Sequence, residues 1–84
     1  MFSRIEKEYR KELIDLYERY IANPEDEDVR KDAGGMGIIC GPQFSEDVNL
    51  AAHKADWMSI GKLSVEEAKE ILQKLKAARE HEKN

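Results

Sequence analysis

Residues 34–44 read "GGMGIICGPQF" and divide a chain that is otherwise charged and helically patterned. The reading of this stretch decides the fold. Gly35, Gly37 and Gly41 are spaced like a loose dinucleotide fingerprint. That pattern has physical meaning only after a buried strand and before a helix whose N-terminus receives phosphate. The preceding residues 25–33, "EDEDVRKDA", carry too much charge for a buried strand, and Ile38 and Ile39 are poor residues to open a helix. The pair Gly61-Lys62 fails as a P-loop, because leucine follows it and the upstream glycine is missing. An α/β arrangement is therefore rejected. The sequence predicts an all-α fold: a small bundle of three main helices and one short helix.

In that fold the glycine-rich stretch has a structural task. Gly34 and Gly35 are expected to end the short helix. Met36, Ile38, Ile39 and Cys40 are expected to run across the helices as an apolar strap over 36–40, a short strand in one version. Gly41-Pro42 then turns the chain, and Phe44 anchors it. Cys40-Gly41-Pro42 resembles three of the four residues of the thioredoxin active-site turn. Gln43 stands where the resolving cysteine would be, and no tryptophan precedes Cys40. A thiol-dependent role for Cys40 is the third functional reading.

Outside this stretch the apolar spacing sets the helices, expected at about 4–22, 24–33, 45–60 and 64–81 of one domain. Ser3 and Glu6 form a capping box at the first. Ile5, Tyr9, Leu13, Leu16, Tyr17, Tyr20 and Ile21 follow at three- and four-residue steps, with Ile14 at one edge. Glu6–Arg10 and Asp15–Arg19 are expected as surface pairs four residues apart. Asn23-Pro24 stops this helix and is expected to start the next, with Asn23 as N-cap and Pro24 at the first position. That short helix has Val29 and Ala33 to bury. The third helix has two apolar sides: a small-residue face of Val48, Ala51, Ala52, Ala55 and Ser59, and an opposite stripe of Leu50, His53, Trp57 and Ile60. A second capping box, Ser64 and Glu67, opens the fourth helix, whose stripe is Val65, Ala68, Ile71, Leu72, Leu75 and Ala78.

Charge restricts the partners. Of 14 bases and 18 acids, giving a net −4, five acids and two bases fall in residues 24–32. No basic stripe exists to neutralise phosphates, so direct nucleic-acid binding is not expected. Glu25, Asp26, Glu27 and Asp28 form an acidic patch suited to a basic protein. Counted from Asp26, the sixth and twelfth residues are Lys31 and Gly37, which excludes an EF-hand. His53, His81 and Cys40 lack metal-ligand spacing, so neither metal nor cofactor is expected. The single cysteine forms no internal disulfide, and no apolar run has signal-peptide or membrane-span length, so a cytoplasmic, membrane-free protein is expected.

With no catalytic constellation, the sequence predicts a non-enzymatic interaction module. It would be an oligomeric adaptor, or an inhibitor that masks a larger protein. In size and acidity it is similar to small proteins that phages encode against nucleic-acid-handling host machinery. The helical stripes exceed what 84 residues readily hide, so a protein partner or a second copy is expected on Tyr17, Tyr20, Leu50, His53, Trp57 and Ile60. The alternative is an anionic-ligand or nucleotide binder. Backbone amides of Gly34, Gly35, Gly37 and Gly41, with Cys40 between them, would grip the ligand at an oligomer interface.

Overall fold

Three tyrosines on one helix organise the packing. In the computed structural model, which describes residues 2–37 and 44–81, the first helix α1 spans Phe2–Ala22. Tyr9, Leu13, Ile14, Leu16, Tyr17 and Tyr20 are its buried side. The other described helices are α2 (Glu27–Gly37), α3 (Glu46–Ser59) and α4 (Val65–His81), and no strand occurs among the described residues. The all-α bundle follows from four amphipathic elements burying their apolar faces together, since most helical stability in proteins comes from such packing.

Each tyrosine hydroxyl donates to a carbonyl on a different part of the fold. Tyr9 reaches Met36, near the end of α2. Tyr17 reaches Ala51 in α3 at 2.6 Å, and Tyr20 reaches Leu63, between α3 and α4, at 2.5 Å. These contacts set direction. Along α1, positions 10, 17 and 20 meet Asp47, Ala51 and Leu63 in turn, partners that advance along and just past α3, so those two helices run parallel. Position 34 of α2 lies against Ser59, and Arg30 against Gly61, so α2 runs antiparallel to α3. The 23–26 turn, the start of α2 and the end of α3 therefore share one end of the molecule.

Residues 23–37 differ from the sequence expectation, for local and tertiary reasons. Asn23 N–H still bonds Arg19 at 3.0 Å, and the carbonyl of Asn23 accepts Asp26 N–H at 3.1 Å. Pro24 thus occupies the second position of a turn, where its fixed φ is favourable, and not the first position of a helix. The N-cap passes to Asp26, whose carboxylate accepts Asp28 N–H at 2.9 Å. At the other end the helix does not stop at Gly34 but continues through Gly37. Met36 and Gly37 of the expected strap are therefore helical, and 38–40 lie outside the described residues. Glycine costs about 1 kcal/mol in a helix interior. Here tertiary packing opposes that cost: Met36 packs on the core, and a Cβ at Gly34 would stand 3.2 Å from Ser59 Oγ. Gly34 is the point of closest approach between α2 and the small-residue face of α3.

Arg10 is the other departure. It is 3% exposed, not on the wet side of α1. Its guanidinium forks onto Asp47, Nε to Oδ2 at 2.8 Å and Nη2 to Oδ1 at 3.0 Å, and Nη2 also meets Glu6 at 3.1 Å. Glu6 in turn accepts the Ser45 N–H at 3.0 Å and the Ser45 hydroxyl. Glu6 thus fastens the start of α3 to α1, and because α1 already begins at Phe2, Ser3 lies inside the helix and not at its N-cap. Ser45 holds the N-cap position with extended backbone, yet its hydroxyl serves Glu6 and not its own helix.

The end of α3 is closed by a Schellman motif. Gly61 N–H reaches Met58 at 3.1 Å, and Lys62 N–H reaches Trp57 at 2.7 Å. Gly61 has φ +77°, which an L side chain resists. At the next helix Ser64 Oγ accepts Glu67 N–H at 3.1 Å, half of the expected box, while the Glu67 carboxylate turns to Lys54 at 3.0 Å.

Candidate interaction surface

On α3 the buried and exposed sides are set by one helical repeat. Val48, Ala51, Ala52, Ala55 and Met58 are enclosed by the other helices. Residues 50, 53, 57 and 60 advance in steps of three, four and three, and project from the opposite side. Leu50 is half-buried against the core, and His53 is exposed. Trp57 is 39% and Ile60 62% exposed, and these are the large exposed hydrophobics among the described residues.

Two neighbours restrain the Trp57 ring. Lys54 Nζ lies 3.6 Å from its centroid, a cation–π contact, and the same ammonium pairs with Glu67 on α4. The His53 ring lies 6.1 Å away at 53°. A part-exposed indole held in one orientation is an anchor that loses little side-chain entropy when a second surface covers it.

The other expected interface residues are not available to a partner. Tyr17 is 0% and Tyr20 4% exposed, with both hydroxyls satisfied inside the chain. The tyrosine stripe is core, and the surplus apolar surface narrows to the outer face of α3. Burial, with a smaller contribution from the Glu67 carboxylate, holds the Tyr17 hydroxyl protonated well above the usual tyrosine range.

The acidic cluster has a mixed role. Asp26 caps α2, whereas Glu25, Glu27 and Asp28 are exposed at the end of the molecule that carries Ile60. Glu27 and Asp28 occupy the first turn of α2, where carboxylates complement the helix dipole.

The expected ligand loop falls only partly within the described residues. Gly34, Gly35 and Gly37 belong to α2, so their amides serve the helix and do not converge on an anion. Cys40 and Gly41 lie outside the described residues. A groove of about 920 Å³ does run between α1 and α2, bordered by Glu8, Lys11, Asp15, Arg19, Lys31 and Gly35. Its rim mixes both signs; Arg19 bridges it to Asp32 at 3.0 Å and pairs with Asp15 on its own helix at 3.9 Å. Among the described residues no three His, Cys, Asp or Glu side chains gather as a metal site, and no helix is long and apolar enough to cross a membrane.

No family model, curated protein or solved structure matches this chain. Its functional reading rests on the residues themselves.

Sequence reasoning marked the α3 stripe but missed its restraint by Lys54 and Glu67. The signal was present: Lys54 lies one turn before Trp57. Its link to Glu67 depends on how α4 packs, which no local spacing encodes.

Proposed function

We propose that this protein is a non-catalytic interaction module that engages a protein through the outer face of α3, acting as an adaptor or as an inhibitor that masks its target. One observation carries the reading: Trp57 on α3 and Ile60 at its C-cap are the large exposed hydrophobics among the described residues, whereas Leu13, Tyr17 and Tyr20 of α1 and Ile71 and Leu75 of α4 are buried. Covering Trp57 and Ile60 removes roughly 200 Å² from water, about 5 kcal/mol at the usual coefficient. That suffices for a hot spot but not for a whole interface. Leu50 and His53 extend the anchor toward the start of α3, and Lys54 keeps its ring oriented. Tyr17 and Tyr20 contribute by fixing α3 in place.

The experiment is site-specific photo-crosslinking in cells that produce the chain. A photoreactive residue at position 60 should give a discrete protein adduct that Trp57→Glu abolishes. The same residue at position 11, in the α1/α2 groove, should give none. Equal adducts from both positions, or an adduct indifferent to Trp57→Glu, would remove the α3 face as the docking surface.

A further inference from the structure

Resting on the reading that the outer face of α3 docks a protein, we infer that its occupant is an amphipathic helix from a basic partner, not a second copy of this chain. The stripe 50–53–57–60 has the three–four–three rhythm by which one helix meets another along a shared seam. Its apolar content is concentrated toward the C-terminal half, at Trp57 and Ile60. Charge identifies what lies opposite.

Asp56 flanks the stripe on one side and Lys54 on the other. Lys54 is already engaged by Glu67 at 3.0 Å and by the Trp57 ring. Asp56 is exposed and forms no ion pair among the described residues. The same is true of Glu66, at the start of α4, and of Glu25, Glu27 and Asp28 at that end of the molecule. Against these five carboxylates stand the exposed Lys62, the half-buried Arg30, whose guanidinium lies against Gly61, and, one turn further along α2 and α4, the exposed Lys31 and Lys69. The seam therefore ends in a rim where acids outnumber bases and where Asp56, the acid on α3 itself, has no ion-pair partner among the described residues; lysines or arginines on a partner helix complete it.

A second copy does not supply them. In an antiparallel twofold pairing each flank meets itself, so Asp56 faces Asp56 and Lys54 faces Lys54. In a parallel pairing the two acidic ends, each with Glu25, Glu27 and Asp28, lie side by side. The antiparallel arrangement brings like charges together across the seam, and the parallel one offers Asp56 only a Lys54 already engaged by Glu67 while bringing the two acidic ends together, which works against self-association.

Trp57 is the chain's sole tryptophan, so its emission reports on this face directly. The test is a fluorescence titration of the intact protein with three tryptophan-free helical peptides of equal length. One has a leucine face and a lysine face, the second has glutamate for lysine, and the third has the lysine composition in scrambled order. The first should give a saturable blue shift, weakened roughly tenfold by Asp56→Lys with Glu66→Lys and by Ile60→Glu, and weakened by added salt. The second and third should give none. An equal response to the glutamate or scrambled peptide overturns the inference, as does no response to the lysine peptide. So does sedimentation showing a dimer that Ile60→Glu dissociates. If the inference fails while the position-60 adduct persists, the docking surface stands with a different occupant; loss of that adduct removes both.

Discussion

The link between Arg10, Asp47 and Glu6 makes the sharpest stability prediction. Arg10 is buried, and the Glu6 and Asp47 side chains are 13% and 14% exposed. Arg10→Met removes the cation and leaves two carboxylates facing each other beside Ser45, with limited access to water. Breaking one side of a buried pair costs about 3–5 kcal/mol. The partial exposure of the carboxylates places the expected loss near the lower end, about 3 kcal/mol. A chain of this size holds roughly 4–13 kcal/mol in total, so the change removes a large fraction. In thermal unfolding it should lower Tm by roughly 12–24 °C. Replacing both partners, Arg10→Met with Asp47→Leu, should cost less than the two single changes summed, because one carboxylate, Glu6, and not two is left without its cation. A loss below about 0.5 kcal/mol for Arg10→Met, or strict additivity in the double variant, would refute the role of this link in holding α3 to α1.

Tyr17→Phe should cost about 1 kcal/mol in urea unfolding, since it removes the bond to Ala51 while the ring still fills the core. Tyr17 also predicts alkaline sensitivity. Its folded pKa is raised, so its contribution is complete below the unfolded value near 10 and declines as pH rises above it; Tyr17→Phe should flatten that decline in melts across this range. Gly61→Ala should destabilise by about 1–2 kcal/mol through its positive φ, with Gly61→Asn costing less. Ile60→Ser should change stability by at most about 0.5 kcal/mol while weakening partner capture, which separates its task from that of the tyrosines.

The four helices were legible because their stripes and stops are local. The α1 stripe, the Asn23-Pro24 stop and the Ser64 cap all act within a few residues. What was not legible depended on neighbours. Gly34 and Gly35 read as a helix end by propensity, but the close face of Ser59 and the bond from Tyr9 to Met36 keep α2 wound through Gly37. Arg10 read as a surface partner of Glu6, yet it lies one turn from Ile14 on the edge of the buried face, which was the available warning. Its fork to Asp47, 37 positions away, was beyond local spacing. The candidate surface was half legible. Leu50, His53, Trp57 and Ile60 were found by wheel geometry, whereas Tyr17 and Tyr20 look equally suited to an interface until packing encloses them. Residue type states what a ring can do; burial decides whether it faces a partner or the core.

Two-dimensional amide NMR of the intact protein, recorded with the lysine-faced peptide, tests the central claim most directly. The account predicts shifts concentrated at residues 50, 53, 57 and 60 and at the acidic turn 25–28, with the α1/α2 groove unmoved. Shifts centred on Lys11, Arg19 and Lys31, with Trp57 unchanged, would contradict it.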